Sequence, residues 1–133
     1  EGKITMMIGP NGCGKSTLLK SIARILPIKK GEVLLDGTNI KKLSQKLIAQ
    51  KMAVLPQTPL VPEGITVKDL VAYGRFPYQK PFSGLKKADH EIIEWAMQRT
   101  GVFELKDRKV EELSGGQRQR VWISLTLAQK TNM

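Results

Sequence analysis

The chain has 133 residues, of which 41% are hydrophobic, so it is long enough for one domain with a buried core, and its single cysteine excludes an intrachain disulfide. Its formal net charge of +10, from 22 Lys and Arg against 12 Asp and Glu, suits nucleic acid, an anionic membrane surface or a polyphosphate ligand, although the basic residues are scattered as on a solvated surface. No apolar run approaches the roughly 20 residues of a transmembrane helix, and no N-terminal targeting pattern is present, so we expect a soluble, cytoplasmic chain.

The first predicted elements are a strand, a glycine-rich loop and a helix. The apolar run at residues 4–8 predicts a buried strand. A helix begins at about Lys15, because apolar residues then recur at helical spacing up to Leu26, where Pro27 ends it. The loop between them fits the pattern G-x-x-x-x-G-K-[ST] of a phosphate-binding loop, or P-loop. It consists of Gly9, Pro10, Asn11, Gly12, Cys13, Gly14, Lys15, Ser16 and Thr17.

The order of these elements meets the requirements of phosphate binding. Glycines adopt conformations that a Cβ forbids, so consecutive N–H groups can point at one anion. The N-terminus of the following helix adds unpaired N–H donors and the positive end of a dipole. Lys15 would bind the β- and γ-phosphates of a nucleotide, and the Ser16 hydroxyl would bind Mg²⁺. The alternative is an ordinary glycine-rich turn, which the flanking strand and helix make a poor explanation.

The segment after Pro27 predicts a hairpin, a short helix and another strand. Its first part contains strands at 32–35 and 38–40, a turn at Asp36-Gly37 and a helix cap at Ser44. Residues 52–55 then predict a second buried strand, and Gln57 follows almost at once. On spacing alone, Gln57 is a polar residue that starts a loop.

Residues from about 66 to 113 differ from the preceding part because they predict helices joined by loops. Thr66 can cap the first of these helices, which residues 73–78 interrupt. A second helix carries apolar residues on one face and ends at Gly101. His90, in the first turn of that helix, is interpreted as a solvated side chain. The change of pattern predicts a helical subdomain inserted into an α/β core.

A second candidate phosphate-binding element follows this helical region. It comprises Ser114, Gly115, Gly116 and Gln117. The serine and the glutamine form a capping box, which marks a helix start. The two glycines weaken a helix by up to about 1 kcal/mol each but leave the N–H groups open to a large anion. Arg118 and Arg120 would lie near the positive end of the helix dipole, which is unfavourable unless an anion neutralises them. Phosphate binding and a plain capped helix both remain open.

The stretch Leu113-Ser114-Gly115-Gly116-Gln117 resembles the LSGGQ motif that defines ATP-binding cassette (ABC) ATPases. With the P-loop and Gln57 before it, the whole chain is similar to that family in the kind and order of its motifs. The resemblance implies an α/β fold, with a partial P-loop NTPase (RecA-like) core of parallel strands and an inserted helical subdomain. The implied division is a partial core over 1–65, a helical subdomain over 66–113, and an LSGGQ-led helix over 114–133.

The resemblance also implies roles for these residues. Gln57 falls where the family has its Q-loop glutamine, which contacts Mg²⁺ and the attacking water and links the nucleotide to a transmembrane partner. Lys15 and Gln57 are then the candidate catalytic residues, and Ser16 and Gln57 the candidate Mg²⁺ ligands. Residues 114–117 would contact ATP held by a second nucleotide-binding subunit, as in a homodimer. Permease subunits would hold the protein at the inner face of the cell membrane.

A closer likeness is to the ATPase subunits of bacterial iron–siderophore and haem importers, through residues 73–78 and 120–124. It implies an ABC-type ATPase that couples ATP hydrolysis to import. One alternative is a nucleic-acid-associated ATPase of the same superfamily, which the net charge favours mildly and the lack of heptads and CxxC pairs opposes. A P-loop small-molecule kinase is another, although it would need no LSGGQ element. Since the lack of heptads and CxxC pairs opposes the nucleic-acid-associated ATPase, we expect no nucleic-acid partner.

The departures from the family pattern lie at the two ends. The family's adenine-stacking aromatic residue would precede Glu1, and its Asp-Glu strand and switch histidine would follow Met133. The Glu that polarises the attacking water is not among the 133 residues. We therefore expect a fragment that binds nucleotide with negligible turnover.

Overall fold

The computed structural model describes residues 4–57 and 60–132. This part of the chain contains five α-helices, one pair of short strands and several 3₁₀ turns. The helices are α1 (Lys15–Ile22), α2 (Gln45–Lys51), α3 (Val67–Ala72), α4 (Lys87–Arg99) and α5 (Gly115–Ala128), and the strands are β1 (Leu34–Leu35) and β2 (Thr38–Asn39). The 3₁₀ turns cover Ile40–Lys42, Tyr73–Tyr78, Phe103–Leu105 and Val110–Glu112.

Side-chain caps start helices where the sequence predicts them. Ser44 Oγ accepts a hydrogen bond from the N–H of Leu47 at 3.2 Å, and Thr66 Oγ1 accepts one from the N–H of Asp69 at 3.2 Å. Each bond satisfies an N–H group that the first turn of a helix leaves unpaired. Just past the C-terminal end of α4, Gly101 has φ +66°, the left-handed conformation that favours glycine after a helix. These local predictions are confirmed.

The strands β1 and β2 form an antiparallel hairpin in which Leu35 lies opposite Thr38. Asp36 and Gly37 connect them with φ values of +50° and +75°. Two consecutive positive φ values are typical of a type I′ turn, whose twist matches that of the flanking strands. The predicted hairpin is therefore confirmed, although each strand is only two residues long.

The predicted buried strands at residues 4–8 and 52–55 are wrong for the described chain, because neither segment pairs with a strand. Ile4 is 95% exposed and Ile8 is 85% exposed, whereas Met52 is buried in a small cluster beside α2. A parallel strand takes its hydrogen bonds from the strands beside it. Among the described residues no segment pairs with either run, so the predicted parallel sheet does not form there.

The first helix is shorter than predicted. It ends at Ile22 rather than near Leu26, and the backbone turns into the left-handed region at Arg24, with φ +55°. The Arg24 guanidinium donates a hydrogen bond to the carbonyl oxygen of Ile40 at 3.2 Å and another to that of Leu43. The turn after α1 is therefore fixed by a long-range contact that helical spacing alone does not reveal.

Two separate apolar clusters stabilise the fold. The larger lies between α3, α4 and α5 and consists of Val67, Leu70, Val71, Ile93, Ala96, Met97, Val102, Val110, Leu113, Val121 and Ala128. The smaller joins α2 to the hairpin through Ile40, Ile48 and Met52. Full burial of one such side chain stabilises a protein by about 1.5–3 kcal/mol, so most of this stabilisation comes from the helical region. The boundaries at 65 and 113 stay a prediction, and α5 shares its core with α3 and α4.

The 3₁₀ turn Tyr73–Tyr78 packs closely on α5. A Cβ on Gly74 would lie 2.4 Å from the carbonyl oxygen of Leu125, so only glycine allows this approach. The next residue, Arg75, is buried, and its Nε donates a hydrogen bond to Asp89 Oδ1 at 2.8 Å. The sequence predicts that this segment interrupts two helices, and its buried ion pair is a finding of the structure.

Candidate functional site

Two of the three glycines in the P-loop, Gly12 and Gly14, have the backbone conformations that the sequence predicts. Gly12 has φ +83° and Gly14 has φ +93°, both in the left-handed region. A turn in which the N–H of Cys13 donates to the carbonyl oxygen of Pro10 at 3.4 Å brings the chain to α1, which begins at Lys15. Because Gly14 has no side chain to cap α1, the first N–H groups of the helix are not occupied by a side-chain acceptor.

The Lys15 side chain folds back over the P-loop. Its Nζ donates hydrogen bonds to the carbonyl oxygens of Gly9 and Pro10, both at 2.7 Å, and lies 3.6 Å from Cys13 Sγ. In the described part of the chain, the recorded salt bridges are Lys51–Asp36 and Arg75–Asp89, so no carboxylate neutralises this ammonium. A cation that contacts two backbone carbonyl groups and a sulfur atom, with no carboxylate among its partners in the described chain, is suited to bind an anion.

Ser16 and Thr17, in the first turn of α1, are exposed. The described residues contain no group of three or more His, Cys, Asp or Glu side chains that could hold a metal ion. Mg²⁺ in nucleotide sites is bound mostly by substrate phosphates, water and one or two protein oxygens, so a carboxylate cluster is not required. An exposed hydroxyl beside the P-loop, such as that of Ser16, fits this donor set.

The predicted capping box at the start of α5 is confirmed. Ser114 Oγ accepts from the N–H of Gln117 at 3.3 Å, and Gln117 Oε1 accepts from the N–H of Ser114 at 3.0 Å. Gly115 and Gly116 are exposed, and a Cβ on either would meet nothing within 4 Å. Packing within the described chain therefore does not explain why glycines occupy these two positions.

Arg118 has partners that the sequence does not reveal. Its Nη2 donates to the carbonyl oxygens of Glu111 and Leu113, both at 3.3 Å. Arg118 therefore does not require an anion at the helix start, because these two carbonyl groups already interact with its guanidinium. Arg120 is exposed.

The structure brings Gln57 and the start of α5 into one groove of about 520 Å³. The groove is lined by Leu55, Pro56, Gln57, Gly115, Arg118, Gln119 and Trp122. The α5 residues among these follow the spacing i, i+3, i+4 and i+7 and so share one helix face. This spacing could have identified Gln119 and Trp122 as groove residues. None of the P-loop residues 9–17 lines the groove, so the P-loop is a separate part of the surface.

A model of the ABC transporter family matches residues 1–133, and the chain belongs to the ABC transporter family. It is 56% identical over 133 residues to the iron(3+)-hydroxamate import ATP-binding protein FhuC of Bacillus subtilis (strain 168), covering 100% of this chain and 49% of that protein. It is 47% identical over 131 residues to the ferric enterobactin transport ATP-binding protein FepC of Escherichia coli (strain K12), covering 98% of this chain and 48% of that protein. The chain thus spans about half the length of the curated relatives it matches.

The fold is similar to that of a solved ATP-binding subunit of an ABC transporter. The TM-score is 0.76 at 22% identity, over 93% of this chain and 50% of the other. This likeness confirms the predicted α/β P-loop fold class, although the parallel strands themselves do not pair among the described residues. None of the described helices combines the length and hydropathy needed to cross a membrane.

Proposed function

We propose that the chain is part of the ATP-binding subunit of an ABC importer that couples ATP hydrolysis to the uptake of an iron–siderophore complex. The observation that carries this proposal is the 56% identity, over the whole chain, to an iron(3+)-hydroxamate import ATP-binding protein. The ferric enterobactin relative supports the same class of cargo, a chelated ferric ion. Membership of the ABC transporter family favours this function over a small-molecule kinase.

The P-loop would bind the triphosphate of ATP. The Lys15 ammonium, which contacts the carbonyl oxygens of Gly9 and Pro10 at 2.7 Å, would move to the β- and γ-phosphates, where a charged acceptor gives stronger hydrogen bonds. The N–H groups at the start of α1 would add donors to the same phosphates. The Ser16 hydroxyl would hold Mg²⁺, which neutralises phosphate charge when bound.

Ser114, Gly115, Gly116 and Gln117 would act on the nucleotide of a second copy of the subunit. The two glycines cost helix stability, and a Cβ at either position would meet nothing within 4 Å. Their benefit therefore lies in a contact outside the described chain, and close approach of a polyphosphate to bare N–H groups is such a contact. In this homodimer each α5 start faces the P-loop of the other copy, so two ATP molecules lie between the subunits.

Gln57 would orient the attacking water and contact Mg²⁺. Gln57 and Lys15 are the two candidate catalytic residues. Its side chain is exposed at the groove, so a permease subunit could contact the same surface. The subunit would then lie on the cytoplasmic face of the membrane, attached through the permease. Catalysis would depend on positioning and on charge stabilisation by Lys15 and the N–H groups.

The proposal is tested in the longer protein that contains this chain, assembled with its permease. Lys15→Ala should reduce ATP hydrolysis by about a hundredfold or more, because a principal phosphate ligand is lost. Lys20→Ala is the control, since Lys20 is an exposed lysine of the same helix and should leave hydrolysis unchanged. Uptake of radioactive ferric hydroxamate into cells should fall with Lys15→Ala only.

Two results would contradict the proposal separately. Hydrolysis that survives Lys15→Ala would refute the nucleotide site. Lys15-dependent hydrolysis without uptake of any ferric chelate would leave the ATPase in place and refute the class of cargo.

A further inference from the structure

The 3₁₀ turn after α3 is hydrogen-bonded to α2 from both directions. Gln50 Nε2 donates to the carbonyl oxygen of Pro77 at 2.7 Å, and the Tyr78 hydroxyl donates to the carbonyl oxygen of Gln50 at 3.3 Å. One helical turn earlier in α2, Lys46 Nζ donates to the carbonyl oxygen of Gln79 at 2.6 Å. Residues 46 and 50 are four apart and so lie on one face of α2. These three hydrogen bonds form the α2 joint.

The same 3₁₀ turn is attached to the helical region on its other side. The Arg75 guanidinium lies 4.0 Å from the centre of the Tyr78 ring, and it donates to the carbonyl oxygen of Ala128 at 2.9 Å. Tyr78 therefore contacts α2 through its hydroxyl and a buried cation through its ring. It is the residue of the turn at which both sets of contacts meet.

The helix α2 is packed in turn against α1, the helix that begins in the P-loop. Ile22 and Ala23, at the C-terminal end of α1, pack against the smaller apolar cluster, which contains Ile48 of α2. The Arg24 guanidinium donates to the carbonyl oxygen of Ile40 in the same cluster at 3.2 Å. Printed contacts therefore lead from the P-loop helix, through α2 and the 3₁₀ turn, to the end of α5.

The other end of α5 carries the second candidate nucleotide contact. This helix has 14 residues, or about 21 Å at 1.5 Å per residue, so a tilt of about 5° at its C-terminal end moves its start by about 2 Å. In the proposed homodimer, twofold symmetry requires both nucleotide sites to close together. Both close only if each copy holds its P-loop and its α5 start at one separation. A misplacement of about 1 Å can lower a rate about a hundredfold.

We propose that Tyr78 is a positioning residue that sets the separation between the P-loop and the start of α5 in each copy. Its hydroxyl holds α2, against which the P-loop helix packs, and its ring lies on Arg75, which bonds to α5. Gln129 supports the same arrangement, because its Nε2 donates to the carbonyl oxygen of Met52, the C-terminal cap of α2, at 3.2 Å. The effect on ATP hydrolysis rests on the proposed function, whereas the link between α2 and the turn does not.

The kinetic test uses the longer protein that contains this chain, assembled with its permease. Tyr78→Phe removes the hydroxyl and keeps the ring on Arg75. It should lower kcat for ATP hydrolysis at least threefold, because the two nucleotide sites close together less often. The KM for ATP should stay within twofold, because the P-loop of each copy is unchanged. Gln50→Met, which has no donor for Pro77, should have the same effects and replaces Tyr78→Phe if that variant does not fold.

Hydrogen exchange measures the joint independently of ATP hydrolysis. In Tyr78→Phe the backbone amides of α2 should exchange at least threefold faster, because a short helix opens more easily once a contact that holds it is lost. The amides of α4 should exchange as in the wild type, because the Arg75–Asp89 pair is retained. Tyr73→Phe is the matched control. It removes a hydroxyl from the same turn, but the Tyr73 ring stacks on Phe76, with 4.6 Å between the ring centres, and α2 exchange should not change.

A double variant separates the joint from general destabilisation. If the two bonds hold one joint, combining Tyr78→Phe with Gln50→Met should lower kcat by less than the product of the two single effects. Effects that multiply would overturn the shared joint.

The inference is also overturned if Tyr78→Phe leaves kcat or α2 exchange at the wild-type value, or raises the KM for ATP more than twofold. Equally fast α2 exchange in Tyr73→Phe would overturn it as well. A wild-type protein without ATP hydrolysis would refute the proposed function instead, and hydrogen exchange alone would then decide whether Tyr78 holds α2.

Discussion

Arg75 Nε lies 2.8 Å from Asp89 Oδ1, and the two side chains are only 7% and 11% exposed. The pair connects the 3₁₀ turn after α3 to the first turn of α4. The same guanidinium donates to the carbonyl oxygen of Ala128, at the end of α5, at 2.9 Å, and lies 4.0 Å above the ring of Tyr78. The 3₁₀ turn, α4 and α5 therefore meet at one buried cation, and their arrangement depends on its partners.

Replacing Asp89 by Asn should lower the free energy of unfolding by about 3–5 kcal/mol, because the Arg75 guanidinium would stay buried without its counter-charge. Chemical denaturation measures the change. Asp36→Asn is the control, since Asp36 pairs with Lys51 at an exposed site and should change the free energy by less than about 1 kcal/mol. Equal losses in the two variants would contradict a special role for the buried pair.

The same ion pair predicts a loss of stability in acid. Burial alone would raise the pKa of Asp89. Hydrogen bonds from the backbone N–H of Lys86 and from the Arg75 guanidinium lower it, and so do the positive charges of the two side chains. Together they hold this pKa below its ordinary value of 3.8. The unfolded chain therefore binds the proton more tightly than the folded protein. The stabilisation is present above about pH 3.8 and is lost as the pH falls through the lower folded pKa.

Thermal unfolding of the wild type and of Asp89→Asn over a series of pH values checks this sign. The difference in Tm should be constant near neutral pH and shrink in strong acid, because the amide that replaces the carboxylate has no proton to gain. A difference that is unchanged in strong acid would show that the carboxylate charge is not the cause.

Gly74→Ala should destabilise the protein by about 1–3 kcal/mol, because the new Cβ would lie 2.4 Å from the carbonyl oxygen of Leu125 and force the 3₁₀ turn away from α5. Gly84→Ala is matched to it, since a Cβ there would meet nothing within 4 Å. That variant should be neutral or slightly stabilising. Thermal unfolding compares the two, and a neutral Gly74→Ala would mean that the turn and α5 separate easily.

Gly115→Ala and Gly116→Ala should have opposite effects on stability and on activity. Neither Cβ would meet another atom of the described chain, so stability should stay the same or rise by up to about 1 kcal/mol. In the longer protein, ATP hydrolysis should fall at least tenfold, because each methyl group would obstruct the nucleotide of the second copy. Unchanged hydrolysis in both variants would refute the proposed dimer contact, and Gly84→Ala serves again as the control.

The parts of the fold that could be predicted depend on neighbours in sequence. The cap at Ser44, the turn at Asp36 and the capping box at Ser114 each need atoms no more than a few residues apart, so the local residue types suffice. The apolar runs at 4–8 and 52–55 predict strands, but neither run forms one among the described residues. Strand formation depends on a distant partner, which an apolar run does not specify.

The sequence by itself determined the P-loop, the LSGGQ-like helix start and, through them, the family of the protein, because each is a short motif whose chemistry is local. Only the tertiary structure decided that Arg75 bonds to Asp89, that Gln129 bonds to Met52 across 77 residues, and that Gln57 shares a groove with Gly115. These contacts follow from how the helices pack, and packing brings together side chains whose separation along the chain carries no periodic signal.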